Sequence, residues 1–405
     1  MIPIFAWRNL WRNKLRSAII IASFTIGTFA GVFLIAFSNG MMNSRVNAVI
    51  GTEMSHIQLH NPGFMENDQF SMRFVANDSL IHKIAGSPHV IAVSKRIVVN
   101  SMIASAETSM GVKITGVDPV AESKVTNLHS KIFEGEYLSE TGHNPVVISE
   151  RLAQKLKVSL HNKIIMTVQD ENKDITGGAF RVVGMYKTDN MLFDEANIYV
   201  RNSDLARLTG IAADQAHEMA VLLDKNDNTE VATQQLSAEF PQMEVKNWLQ
   251  LSPDAGALVG AMNQYTYFFT VIILLALCFG IVNTMLMVIM ERTRELGMLM
   301  AIGMNRARVF GMIMLETVFL SLTGGTLGIV LGWIAANHFE KSGINLYFWK
   351  EAFGEMGFSS MIYPAIDNSV IVYTAIMVVV AGIGSAIYPA LKAIRLKPVE
   401  AIRSI

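Results

Sequence analysis

At 405 residues, 51% of them hydrophobic and only 17% charged, the chain is too apolar for an ordinary soluble protein of its size. A formal net charge of −1 gives no global basic field, which argues against nucleic acid as a partner. Cys278 is the single cysteine and lies in an apolar run, so neither an intrachain disulfide nor a cysteine-based zinc cluster is open to this chain.

Residues 1–16 carry Arg8, Arg12, Lys14 and Arg16 and read as a cytoplasmic, amphipathic N-terminal segment. A hydrocarbon core of ~30 Å takes ~20 apolar helical residues to cross. The uncharged run 17–44 meets that demand as a first span. It is longer than the ~7–15 apolar residues of a signal peptide and lacks a clean small-residue cleavage site, which fits an uncleaved anchor. Gly27 and Gly31 stand four apart and suit close helix packing. Phe29, Phe33 and Phe37 make an aromatic stripe at the same spacing.

Residues 45–254 turn globular. Alternating runs predict strands at 56–60, near 89–105, 108–117, 163–169, 180–187, 196–200, 217–223 and 243–248. Helical pieces are expected at 78–86, 149–157, 203–209 and 228–239, opened by Asn77, Ser149, Asn202 and Asn228. This is an α+β extracytoplasmic domain, expected in two lobes. His56, His60, His82, His89, His129, His143 and His161 lack metal-ligand spacing and are expected at surfaces or edges; neither a catalytic residue nor a metal site is expected.

A second uncharged span covers 255–290, with Tyr265, Phe268 and Phe269 in its outer half. The third, 309–337, contains one acid, Glu316, together with Gly324, Gly328 and Gly332 at four-residue spacing. An intramembrane acid is a functional candidate; near the cytoplasmic interface it suits a structural ion pair or snorkelling better than proton coupling. A loop at 338–367 leads to the fourth span, 368–391, and a tail, 392–405. Arg292, Arg294, Arg306 and Arg308 lie between the second and third spans, and Lys392, Arg395, Lys397 and Arg403 follow the last. The positive-inside rule therefore puts both termini and 291–308 in the cytoplasm, with 45–254 and 338–367 outside. The class expected is an α-helical membrane protein with four transmembrane helices plus an α+β extracytoplasmic, periplasmic domain.

In the 291–308 segment, Arg292 and Glu295 stand three apart and suit an ion pair, as do Glu291 and Arg294. Leu296, Leu299, Met300 and Met304 offer an apolar face. A P-loop needs lysine directly after glycine, and this sequence has no Gly-Lys dipeptide, so ATP hydrolysis is expected from another chain.

Several phrases then converge: Trp7-Arg8-Asn9-Leu10-Trp11-Arg12-Asn13-Lys14-Leu15-Arg16, Asn283-Thr284-Met285, Glu291-Arg292-Thr293-Arg294-Glu295-Leu296-Gly297 and Ala301-Ile302-Gly303. Gly324-Gly325-Thr326-Leu327-Gly328, Pro389-Ala390-Leu391-Lys392-Ala393 and Pro398-Val399-Glu400-Ala401-Ile402-Arg403 complete the pattern. It resembles the permease domain of the MacB/FtsX-like ABC transporter superfamily. The resemblance implies a permease dimer served by two separate ATPase subunits, which hold the ATP and Mg, while this chain carries no cofactor. It also implies that 291–308 is the ATPase-coupling element, with Glu291, Arg292, Arg294, Glu295, Leu296, Met300 and Arg306 as its contact residues. Gly116-Val117-Asp118-Pro119, Ile132-Phe133-Glu134-Gly135 and Phe180-Arg181-Val182-Val183-Gly184 resemble the lipoprotein-releasing LolC/LolE branch. That likeness implies extraction of lipidated substrates from the outer leaflet of the inner membrane, a second permease subunit in a homodimer or heterodimer, and a periplasmic carrier. The carrier-recruiting hook of that branch is rich in proline, whereas 169–179 here has none. Amphiphile efflux of MacB type and FtsX-like signalling to an extracellular hydrolase stay open. For lipid release, the stripe Phe29, Phe33 and Phe37 with Tyr265, Phe268 and Phe269 is the candidate groove.

Overall fold

A computed structural model describes residues 14–67, 70–139, 142–170, 172 and 174–395. Most of the basic N-terminal phrase (7–13) and all of 398–403 lie outside the described residues. Two compact units form: Met1–Asn43, Val259–Asn345 and Met361–Ile405 in one, Ser44–Leu258 and Leu346–Ser360 in the other. Among the described residues four helices are long and apolar enough to cross a membrane: Ser17–Met54, Pro253–Glu291, Arg306–Ser342 and Asn368–Ile394. With the α+β domain between the first two, this is the expected class.

In the first unit, small residues decide which helices meet. A side-chain carbon on Gly324 would lie 2.5 Å from Phe24 Cβ and 2.7 Å from Ile21 O, and one on Gly328 2.6 Å from Thr28 Cβ. Gly332 faces Val32 in the same way, at 2.8 Å. The three glycines thus bring the third long helix against the backbone of the first, where Thr25 Oγ1 donates to Gly324 O at 3.1 Å. Gly325 and Gly382 similarly let the third and fourth helices close on Val378 and Ser321.

The second unit is built on a mixed sheet. Its strands, in chain order, are β1 (Ile57–His60), β2 (Phe74–Val75), β3 (Val90–Ala104), β4 (Ser109–Val117), β5 (Ile132–Gly135), β6 (Pro145–Ser149), β7 (Lys163–Gln169), β8 (Ile175–Tyr186), β9 (Asn197–Arg201), β10 (Gln215–Ala216), β11 (Glu218–Leu223) and β12 (Glu244–Asn247). The main sheet runs β12-β1-β11-β3-β4-β9-β6-β8-β5, with β7 pairing both β3 and β8. Pairs β4–β9 and β6–β8 are parallel. One apolar cluster, including Ile114, Ile148, Leu156, Phe180 and Leu205, packs around β3, β4 and β6 to β9. Another, around Ile57, Ile84, Leu236 and Phe240, joins β1 and β11 to the helices Asp78–Ala85 and Thr229–Glu239.

Between the clusters sits a buried charge triad. Arg96 bonds Glu122 at 2.6 Å and Glu218 at 2.5 Å, and Ser94 and Thr126 also donate to Glu122. Burial alone would raise the Glu218 carboxyl, but the Arg96 guanidinium holds it below its ordinary value. The triad pins helix Pro119–Val125 to the sheet. Asp118 starts that helix by accepting from the Val120 and Ala121 amides at 3.0 and 2.9 Å, with Pro119 fixing the first turn.

Several expectations need correction. Asn77 and Ser149 cap their helices as expected, but the Asn202–Thr209 and Thr229–Glu239 helices have no side-chain cap from Asn202 or Asn228. His56 and His60 are not at a surface: β1 lies between β11 and β12, and both rings are buried. His60 bonds His217 O and Gln58 Oε1 and stacks on Phe64, which accounts for its polar atoms without a metal. Among the described residues no cluster of potential metal ligands occurs. Helices Pro119–Val125 and Met191–Ala196 and strands β5 and β6 were not foreseen.

Candidate coupling site

The second long helix ends at Glu291 and a short helix, Thr293–Ala301, follows it. Arg292 is the residue between them, with φ −101 and ψ 11 outside helical values. Its guanidinium holds the corner in place: Nη1 donates to both carboxylate oxygens of Glu316, each at 3.2 Å, and Nε donates to Glu295 at 3.1 Å. One cation thus ties the short helix and the third long helix together through charge-assisted hydrogen bonds to two carboxylates. Glu316 is buried, and among the described residues it pairs with Arg292.

Beyond Ala301 the chain turns at Gly303, whose φ of +102 suits glycine, with Met304 N bonding Leu299 O at 3.0 Å. Asn305 then caps Arg306–Ser342 by accepting from the Ala307 amide at 3.2 Å.

The apolar face of the short helix points the other way from the sequence-based expectation. Leu296, 2% exposed, is buried with Val288, Ile289, Val309, Met312 and Ala390, and Leu299, Met300 and Met304 pack against that cluster. Leu296 and Met300 are therefore seated inward, because the helix lies on the ends of the long helices and its apolar side is needed there. What it leaves exposed is Glu291, Arg294, Met298 and Ile302, the last 86% exposed, with Arg306 nearby. Met298 and Ile302 were missed; their spacing of four from Arg294 is the signal that could have found them.

The aromatic stripe is not one surface. Phe29 stacks on Phe33 at 6.0 Å, and Phe33 meets Phe339 of the third long helix edge-on at 6.0 Å. Phe37 is half-buried, while Tyr265, Phe268 and Phe269 are exposed. The first, second and fourth helices instead line a small, half-open apolar pocket of about 40 Å³. Its lining includes Gly31, Thr28, Leu277 and Thr374. Gly27 packs on Leu277, but nothing lies within 4 Å of a side chain added at Gly31, so Gly31 opens space rather than making a contact.

Comparison with known proteins fits this architecture. Residues 17–239 match the MacB-like periplasmic core domain, and residues 267–398 match the FtsX-like permease C-terminal domain. The chain aligns over its whole length, and that of the relative, with the lipoprotein-releasing system transmembrane protein LolC of Neisseria meningitidis serogroup B, at 21% identity. The LolE protein of Haemophilus influenzae is 19% identical over 80% of each chain. The macrolide export ATP-binding/permease protein MacB of Nitrosomonas europaea is 22% identical over 98% of this chain and 58% of its own length. With one of these domains covering more than half of its residues and the other most of the remaining long helices, the chain belongs to the MacB/FtsX family of ABC transporter permeases.

Proposed function

We propose that this permease works by mechanotransmission, coupling a separate ATPase to the extraction of lipidated substrates from the outer leaflet of the inner membrane. The observation that carries the coupling is the Arg292 corner, which fixes the short helix on the long helices and turns Arg294, Met298 and Ile302 outward. An exposed surface of two apolar side chains beside arginines suits a partner with an apolar cleft rimmed by acids. Two ATPase subunits and a second permease subunit would complete the transporter, with ATP and Mg on the ATPases.

Lipoprotein release is favoured by the end-to-end match with LolC. The β7–β8 hairpin corresponds to the stretch 169–179 compared with the carrier-recruiting hook, and that stretch has no proline. The lack of proline speaks against carrier recruitment by this chain and suits either a LolE-like partner or a divergent homodimer. Amphiphile efflux is the second reading, supported by the MacB-like core domain and a MacB match at 22% identity, against 21% for LolC.

The test is the double variant Arg294→Glu, Ile302→Asp, which leaves Arg292, Glu295 and Glu316 untouched. Co-purification of the ATPase should fall about tenfold or more, as the loss of one anchored contact of ~1.4 kcal/mol would give. ATP-dependent release of a triacylated lipoprotein from proteoliposomes should fall with it. Full ATPase retention would refute the coupling surface. Normal ATPase binding without any lipoprotein release by the unsubstituted complex would refute the substrate and favour efflux.

A further inference from the structure

The third long helix has a second face, turned away from its glycines, that the transport reading does not use. At its outer end Trp333, Ile334, Asn337, His338, Lys341 and Ser342 line a shallow, open cleft formed by this one helix alone. They recur at i, i+4 and i+8 and so share one side of the helix. The opposite side is occupied by Gly328 and Gly332 against the first helix and by Phe339 against Phe33. Glu340, the nearby acid, is exposed and lies about 60° around the helix from Asn337, at the edge of this side.

We propose that this cleft binds an anionic phospholipid, the phosphate held by Lys341 with Asn337 and His338. The inference rests on reading Arg306–Ser342 as a membrane span and is independent of which substrate is transported. Depth is the first argument. At ~1.5 Å per residue Trp333 stands about 37 Å along the helix from Arg308, just beyond a hydrocarbon core of ~30 Å. An indole at that level sits where its ring meets acyl chains and its N–H meets the glycerol region. Asn337 and His338 follow one turn farther out, at phosphate level. Lys341 follows at the next turn, and its long stem lets the ammonium reach back toward the phosphate.

Charge and hydrogen bonding are the second argument. The polar end of the cleft carries an ammonium and an amide that donate hydrogen bonds, plus an imidazole, and its membrane end is apolar. That order of groups matches a phospholipid from headgroup to tail. Ser342 contributes no free donor, since its hydroxyl already bonds His338 O at 3.1 Å.

The full chain is purified in detergent and exposed to equal amounts of phosphatidylglycerol and phosphatidylcholine with identical acyl chains. Native mass spectrometry then reads the retained lipid. The unsubstituted protein should retain phosphatidylglycerol about fivefold over phosphatidylcholine, the preference that one surface cation gives an anionic lipid. The His338→Gln, Lys341→Gln variant should lower that ratio, the cations elsewhere in the chain keeping their own share. Equal retention by the unsubstituted protein, or a preference unchanged in the variant, overturns the site. Displacement by inorganic phosphate alone would assign the cleft to a free anion and overturn the lipid. Should the variant not fold, brominated lipids give the answer in the unsubstituted protein. The fluorescence removed by Trp333→Phe should be quenched more by brominated phosphatidylglycerol than by brominated phosphatidylcholine. Equal quenching, or none because a second copy covers the face, overturns the proposal.

Discussion

His56 accepts a hydrogen bond from the Leu223 amide through Nδ1, at 3.2 Å, and that bond exists only while the nitrogen is unprotonated. Burial lowers its pKa to about 4 from the ordinary 6.5, although the nearby Asp224 charge works the other way. An unfolded chain therefore takes a proton near pH 6.5 that the folded chain refuses until about pH 4. The stability His56 confers is present above pH 6.5 and is lost as pH falls through that window, by at most ~3 kcal/mol. Asp194 has the opposite sense. Burial raises it to about 6 against the bonds from Thr188, so the folded chain loses stability as pH rises from its ordinary 3.8 toward 6. Hydrogen exchange separates the two, because it reads one amide. The Leu223 amide should exchange faster at pH 5 than at pH 7 after correction for intrinsic rates, and His56→Gln should remove the difference. Protection at Leu223 that is equal at both pH values in the unsubstituted protein would contradict the account.

Gly31 and Gly328 illustrate how far a helix can be read from its residues. Both belong to four-residue glycine repeats, and in sequence both read as packing positions. A side chain at Gly328 would collide with Thr28 Cβ at 2.6 Å and Thr25 O at 2.7 Å, whereas one at Gly31 meets open space. Gly328→Ala should then lower stability by about 1–3 kcal/mol through overpacking, read as a drop in melting temperature in detergent. Gly31→Ala should be neutral or stabilising, since alanine is the better helix former by about 1 kcal/mol. An equal loss at both positions would deny the difference in packing. The same limit explains what was legible elsewhere. β3, β4, β7 and β11 were found from their β-type runs, and β7 still alternates strictly between buried and exposed residues. β6 was not found, because all five of its residues are buried and no period of two remains. Helices Pro119–Val125 and Met191–Ala196 are too short for a 3.6-residue period to show, although Asp118-Pro119 was a start signal in plain view. For the coupling site, the Arg292–Glu295 pair could be read from spacing, but Glu316 is brought to it by tertiary packing alone. Which way Leu296 points is also a property of its neighbours.

Orientation links these parts to transport, since the coupling surface and the α+β domain must face opposite sides of the membrane for ATP hydrolysis on one side to act on a substrate at the other. The lysines and arginines at 8–16, 292–308 and 392–403 predict the direction, by the rule that cations are in excess on cytoplasmic segments. A cysteine scan can test it cleanly because Cys278 is the single native thiol and is replaced by serine first. The external reporter must be chosen with care. Asn190 is buried and donates to Glu53 at 2.9 Å, so a cysteine there would disturb its surroundings and label poorly from either side. Leu192 is close in sequence and 63% exposed, and Ile302 is the most exposed apolar residue near the short helix Thr293–Ala301. In intact spheroplasts, an impermeant maleimide should modify Leu192→Cys and leave Ile302→Cys unmodified until the membrane is permeabilised. Labelling of both from outside would rule out an odd number of crossings between them, and with it the assignment of the second long helix as a span. Labelling of Ile302→Cys alone would invert the topology, placing the α+β domain in the cytoplasm and leaving the exposed Arg294, Met298 and Ile302 surface out of reach of any ATPase.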